Sequence, residues 1–382
     1  MQKLFLIFHG RFPSDKAASL FAAKSSETFT KEGIEVTLLV PRRIGREDGN
    51  PYDYYHVEKN FHIVYLPVID TGRILFLRPI RFILSFTSFS FFSFLYLLFK
   101  ASGKDVIYSN ETIPLLLASI VFPNIFYEMH DFPGSKLGFF GFFIRRMRGV
   151  VIHNKWKAEK VKEIFFVSEL NIICEPNAVD IKEFDVMDSK EEARRKLSLP
   201  QDKKIAVYTG HLYSWKGVDT LVLAAKELSS EYLVVFVGGN SEDVVSFKNR
   251  YGDIKNIMIV GFRPHREISL WQKASDVLVL PNTAKEDISK YYTSPMKLFE
   301  YAASKRPIVA SRISSITELI DDKKAFLVEP DNALDLAKGI ELACSDKIIM
   351  NERLGGAYNW VLNHTWQKRA QRIINFIKKL YV

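Results

Sequence analysis

Glu300 is the only acid in "SPMKLFEYAASKRPIVAS", residues 294–311, where its neighbours are otherwise apolar or basic. Lys297, Leu298, Tyr301 and Ala302 recur there at helical spacing, and Pro307 before the β-branched "IVAS" predicts a loop entering a short buried strand. Ser294 is placed to cap the helix, and Pro295 suits its first position because a missing N–H costs nothing there. The amides that open this helix, at Met296, Lys297 and Leu298, would offer free donors and partial positive charge, the usual seat of a phosphate. One turn further in, the Glu300 carboxylate suits sugar hydroxyls. Phosphate and hydroxyls side by side are the chemistry of a nucleotide sugar.

Two other loops carry residues of the same kind. In "YTGHLYSWKGVDTLVLAA", Gly210 ends a strand-like run, His211 follows, and Lys216 precedes Gly217 and an apolar helix. Glycine lets a ligand approach the backbone, and a lysine meets phosphate as a point charge, although a surface lysine at a turn would look the same. In "IVGFRPHREI", Gly261, Phe262 and Arg263 end a strand where backbone atoms could bond a base edge. Glycine also ends many strands that bind nothing.

The elements that must position these loops are short, continuous apolar runs alternating with helical stretches. "KLFLIF", "EVTLLVP", "FHIVYLP", "DVIYSN", "NIFYEMHD" and "GVVIHN" fill the first half, with helices expected near 16–32 and 112–121. After "CEPNAVDIKEFD" and a charged connection at 186–203, a second alternation runs from "KKIAVYTG" through "YLVVFVGG", "NIMIVGF", "VLVLPN" and "RPIVAS" to "AFLVEP". Such runs predict an α/β chain with two tandem, doubly wound parallel sheets, whose ligands bind beyond the carboxyl ends of the strands. The expected domains are residues 1–178 and 179–355, with an active site in the cleft between them. A terminal helix in 356–382, apolar at Ile373, Ile374, Ile377 and Leu380, either packs back on the first domain or makes a further basic membrane contact.

The chain has 382 residues, 47% apolar and 25% charged, which suits two domains and not disorder. Cys174 and Cys344 stand far apart in apolar surroundings, with no metal spacing or disulfide framework, so a reducing compartment is expected. "MQKLFLIFHGRF" has too short an apolar run for a signal peptide and reads as a first strand. A net charge of +9 implies an anionic partner. Arg73, Arg78 and Arg81 precede the uncharged segment 82–99, Lys100 and Lys104 follow it, and "GSKLGFFGFFIRRMRG" sets four phenylalanines before Arg145, Arg146 and Arg148. Aromatics flanked by arginine match an anionic membrane surface better than nucleic acid, for which stacking residues would alternate among polar ones. Segment 82–99 is open to three readings: a bilayer span, a helix half buried and half membrane-facing, or ordinary core.

Taken in order, these segments resemble the retaining glycosyltransferases of the two-Rossmann-domain (GT-B) fold, family four, also called glycosyl transferases group 1. "PNAVDIKEF" is similar to the family's Pro-Asn-Gly-Val-Asp junction, "GHLYSWKGVDTL" to its phosphate loop and "SPMKLFEYAASKRPIVAS" to its donor helix. The resemblance implies that Glu300 bonds the ribose of a UDP- or GDP-sugar, that Lys216 and the amides opening the 294 helix hold the diphosphate, and that Gly261 to Arg263 bound the base. In the first half, "YEMHDF" resembles the family's His-Asp, which puts His130 near the donor sugar. "HGRFPSDKAASLF" resembles its first loop, where Gly10 would admit the diphosphate and Asp15 and Lys16 are candidates for acceptor contacts or a solvated turn. His153 is assigned nothing. The chain departs from the pattern at His211, where arginine is usual, and at Tyr292, where a first glutamate is often found eight residues before Glu300.

The implied activity is metal-independent transfer of a sugar, with no further cofactor, to a lipid-linked or surface-glycan acceptor at the cytoplasmic face of a membrane. No Asp-x-Asp accompanies the phosphate loop. Two rivals share the architecture. A nucleotide-sugar epimerase or hydrolase would need carboxylates around the sugar, for which Glu128 and Asp131 are candidates. A non-catalytic binding protein would account for His211 and Tyr292.

Overall fold

The computed structural model describes residues 2–14, 16–43, 49–70, 80–134 and 137–381. Asp15, Arg73 and Arg78 lie outside them. The chain divides into two compact units, Met1–Glu175 with Trp366–Val382, and Pro176–Thr365.

Among the described residues the first unit holds seven parallel strands: β1 (Lys3–Ile7), β2 (Glu35–Pro41), β3 (His62–Leu66), β4 (Val106–Ser109), β5 (Ile125–Met129), β6 (Gly149–Ile152) and β7 (Ile172–Cys174). Their order is β3-β2-β1-β4-β5-β6-β7. Leu6 lies beside Leu38 on one side and Tyr108 on the other. β4, β5 and β6 are buried throughout, the reason their sequences are continuous apolar runs and not alternations. The β7 run, "IIC", is too short to have been predicted as a strand.

The second unit has six parallel strands: β8 (Lys204–Thr209), β9 (Tyr232–Val237), β10 (Ile257–Gly261), β11 (Val277–Leu280), β12 (Ile308–Ser311) and β13 (Phe326–Val328). Their order is β10-β9-β8-β11-β12-β13. In each sheet the strand order reverses beside its first strand, at β1/β4 and at β8/β11. Those switch points are where an open parallel sheet presents ligand-binding loops.

The terminal helix Trp366–Leu380 packs on the first unit through its apolar face. Ile373, Ile374 and Ile377 share one core with Ala22, Phe29 and Val36. Arg148 Nε donates to the Leu380 carbonyl at 2.6 Å, so this arginine closes the helix end and is not part of a lipid-facing cluster.

Helix Arg81–Lys100 covers the predicted greasy segment. Its inward face is narrow and carries Phe89 and Leu97 among the small residues Ser85, Ser90 and Ser93. Much of the rest is apolar and exposed: Phe82 is 65% exposed, Ile83 58% and Phe99 81%. Only 28% of its apolar window is buried among the described residues, and it is long and apolar enough to cross a membrane. Helix Leu137–Ile144 repeats the pattern in small, burying Phe140 and Phe143 and exposing Phe139 and Phe142, with the Arg146 guanidinium 4.7 Å over Phe142.

Candidate functional site

The carboxyl edge of the second sheet is made of bare backbone. Gly210, Gly238 and Gly261 follow or end β8, β9 and β10, all with positive φ. They hold one another: Gly210 N donates to the Val237 carbonyl and Gly238 N to that of Gly261, both at 2.8 Å. A Cβ at Gly238 would come within 2.5 Å of the Gly210 oxygen, and one at Gly217 within 1.8 Å of the Pro281 oxygen, just past β11. Glycine is therefore required here by the close approach of neighbouring strand ends.

Helix Met296–Ala303 stands over this edge. Tyr301, fully buried, fixes it there by accepting the Thr209 N–H at 2.9 Å. Ser294 does not cap the helix. Pro295 occupies the capping position, and the Ser294 hydroxyl instead accepts the Asn177 N–H at 3.2 Å, tying the "PNAVD" segment to the helix start. Leu298 is core, and its amide is taken by the Pro295 carbonyl at 3.0 Å. The amides of Met296 and Lys297 remain as the first-turn donors expected at this end.

Lys297 is the most informative side chain of the site. Its Nζ is buried, has no hydrogen-bond partner among the described residues, and lies 3.9 Å from the centre of the Tyr208 ring. A Cβ on Gly210 would stand 2.9 Å from it. Burial first, and the nearby charge of Lys216 second, hold this amine well below the usual lysine range, with Glu300 acting weakly in the opposite sense. Lys216 lies 3.6 Å over the Trp215 ring, and loss of hydration brings it down to about 7. Two desolvated amines beside a glycine turn lack an anion.

Glu300 is buried on the same helix, its Oε1 3.5 Å from His265 Nε2. His265 opens helix His265–Ala274 just after the Gly261–Arg263 loop, and its other nitrogen is 3.8 Å from Glu183. It was not read as a site residue. Its position in "RPHREI" carries no signal until the helix folds against Glu300. Phe262 is exposed, and Arg263 donates to the Phe262 carbonyl at 2.7 Å. His211 is exposed and stacks on Tyr213 at 4.9 Å, while its carbonyl accepts the Tyr208 hydroxyl at 2.6 Å. The charge of Lys216 acts on Lys297.

On the first unit, a Cβ at Gly10 would meet the Phe8 ring at 2.1 Å, so glycine is needed there for local packing. His130 lies one residue past β5, its ring 4.9 Å from Phe21 and 4.5 Å from His153, with Nε2 3.7 Å from Glu128. Glu128 is fully committed: Arg369 donates to its Oε1, His153 lies 2.8 Å from the same oxygen, and Tyr108 donates to Oε2 at 2.6 Å. Burial alone would raise this carboxyl, but Arg369 and the two imidazoles hold it well below its ordinary value. Glu128, His130 and His153 are close enough to hold a metal ion, yet Arg369 already neutralises the shared oxygen, and the group is better described as a salt bridge locking the terminal helix.

Two parallel Rossmann-like units with loops of this kind define the GT-B class of architecture, and solved glycosyltransferases bear this out. The chain superposes on a glycosyltransferase from Rickettsia africae with a TM-score of 0.74 at 16% identity, covering 99% of this chain and 98% of that one. It superposes on HepE of Anabaena in complex with UDP-glucose with a TM-score of 0.73 at 15% identity, covering 99% and 100%. Residues 189–358 match the family of glycosyl transferases group 1. A putative teichuronic acid biosynthesis glycosyltransferase, TuaC of Bacillus subtilis, is 27% identical over 154 residues, 40% of this chain and 36% of its own length. The matches to the first curated relatives span 36 to 59% of those proteins.

Proposed function

We propose that the protein transfers a sugar, with retention at the anomeric carbon, from a nucleotide-sugar donor bound by the second unit to a lipid-linked or surface-glycan acceptor bound by the first. The observation that carries this is the pair Lys216 and Lys297. A buried amine without a partner is costly, and a diphosphate supplies the charge that it lacks. The first-turn amides of helix Met296–Ala303 add donors to the same anion, and Glu300, braced by His265, suits the ribose hydroxyls.

In this reading charge builds on the leaving phosphate as the sugar becomes oxocarbenium-like, and the two lysines stabilise it in place. The departing phosphate itself takes the acceptor proton late. The described residues assign no other base, since Glu128 is held as a carboxylate among three donors. With Glu128 so held, an epimerase or hydrolase would be left with Asp131 alone of its two candidate carboxylates. A binding-only protein is disfavoured because Lys297 makes good the charge missing at His211. The exposed phenylalanines of helices Arg81–Lys100 and Leu137–Ile144, with Arg145 and Arg146, support a peripheral position on an anionic membrane at the cytoplasmic face.

A thermal-shift panel of UDP, GDP, ADP and their sugars tests the donor reading, because a ligand bound only by the native state raises its apparent stability. One nucleotide series should stabilise the protein, and its sugar should turn over. A panel without any shift would remove the reading.

A further inference from the structure

The carboxyl edge of the first sheet holds a second group of cations, and the account above uses none of them. His9, Arg43 and Glu111 each stand two residues beyond a strand, after β1, β2 and β4. Arg43 Nη2 donates to the His9 carbonyl at 3.0 Å and lies 2.9 Å from His9 Nε2, which is also 3.0 Å from Ser85 Oγ. The His9 N–H donates to Glu111 Oε1 at 3.2 Å. Arg81, at the first residue of the greasy helix, has its Nη2 3.6 Å from Asp70 and remains partly exposed. The charges acting on Arg43 are Asp70, Arg11, Arg81 and Glu111, so three guanidiniums face two carboxylates. Burial raises Glu111 toward its neutral form, while His9, brought down to about 4 by burial and then by Arg43, stays neutral and adds no charge. Among the described residues the excess is positive, and the Arg43 Nε is buried without a hydrogen-bond partner there.

Apolar surface begins in the same helical turn. Phe82 and Ile83 follow Arg81 directly and are both exposed. Phe82 stacks on Phe86 at 5.5 Å and meets the His9 ring edge-on at 5.7 Å. A free phosphate would use the guanidiniums and leave these rings in water; a neutral lipid would use the rings and leave the positive excess unmatched. Bidentate guanidinium recognition of phosphate beside an apolar wall fits one ligand that has both parts.

We infer that Arg43 and Arg81, with the Phe82–Phe86 face, form the seat for the phosphate and first hydrocarbon units of a polyprenyl-phosphate-type lipid, which makes the acceptor a lipid phosphate and not a phosphate-free glycan. This rests on the transferase reading for its purpose but not for its test. The probe is binding of the full chain to neutral phosphatidylcholine vesicles containing a few per cent of polyprenyl monophosphate. Matched vesicles carry equal charge as phosphatidylglycerol, or uncharged polyprenol. The parent protein should prefer polyprenyl phosphate over both by roughly tenfold, the scale of one charge-assisted bond. Arg81→Gln should erase the preference over polyprenol, and Phe82→Ser should weaken vesicle binding while leaving the preference for phosphate over polyprenol. Equal binding to phosphatidylglycerol would reduce the seat to a generic anionic surface and overturn the inference, as would an Arg81→Gln protein that keeps the full preference. Nucleotide binding measured on the same samples keeps the two claims apart. Lost nucleotide binding with retained lipid selectivity would sink the transferase reading alone, and the reverse would sink only the seat.

Discussion

The carboxyl edge of the second sheet and the β5 end of the first solve opposite problems. In the second unit three strands end at glycines, and among the described residues Lys297 Nζ has no hydrogen-bond partner and Lys216 lies over the Trp215 ring. In the first unit the edge beside β5 is crowded and neutralised, with one carboxylate, Glu128, shared by Arg369, His153 and Tyr108. A completed network holds a fold, whereas an incomplete one waits for a ligand. The terminal helix makes the contrast physical, because its Arg369 is spent wholly on structure.

The largest test of that comparison lies in the completed network. Arg369→Met should destabilise the first unit by about 3–5 kcal/mol, the usual cost of leaving one partner of a buried pair alone, as read by chemical denaturation. Glu128→Gln in the same chain should recover part of the loss. The same network predicts acid sensitivity. Glu128 is depressed in the folded state, so its contribution is present above its ordinary value and is lost as pH falls through the folded one. His153 is held well below its ordinary value by burial, so the unfolded chain takes up a proton that the native chain refuses, and stability falls again as pH drops below about 6.5. An unfolding midpoint that is flat from pH 7 to 4 would break the assignment.

Next in size, Glu300→Gln should weaken nucleotide binding by about 1.5–3 kcal/mol at most, since the amide keeps part of the bonding. Titration calorimetry reads this directly, and unchanged affinity would take Glu300 out of the site. pH sharpens the comparison further. A bound diphosphate raises the Lys216 amine from about 7 toward its ordinary value, so binding takes up a proton above that pH. Affinity for the nucleotide sugar should fall as pH rises from 7 to 9, by up to about tenfold per unit, because one pKa unit corresponds to 1.36 kcal/mol. Calorimetry in buffers of different ionisation heat would count the protons. The smallest effect is at the surface: replacing Arg145 and Arg146 with glutamine should cost about 1 kcal/mol each in binding to anionic vesicles, and added salt should imitate it. Arg148 is left out of that test because it holds Leu380.

Much of this was legible in sequence because it is local. Runs such as "KIAVYT" and "VLVL" name buried parallel strands by composition alone, and the order of the loops carried the family resemblance. What escaped depends on partners far away in the chain. Ser294 has a good capping residue's chemistry, but Asn177 claims its hydroxyl. Arg148 reads as part of a basic cluster until the last helix returns to it. Glu128 reads as a candidate for proton chemistry until Arg369, 241 positions later, is brought against it. In the sequence Lys297 stands out only for its place at a helix start. Its value lies in the absence of a partner, and spacing in a sequence cannot display that.

The central claim is that the two desolvated lysines form a diphosphate seat, and Lys297→Met tests it most directly, since it removes the charge while keeping the apolar stem over Tyr208. Calorimetric titration of parent and variant with the nucleoside diphosphate selected by the panel, and with its nucleoside, is the measurement. The account predicts that the variant folds at least as stably as the parent, binds the nucleoside about equally, and loses roughly tenfold or more in affinity for the diphosphate. A variant that binds the diphosphate as tightly as the parent would contradict it.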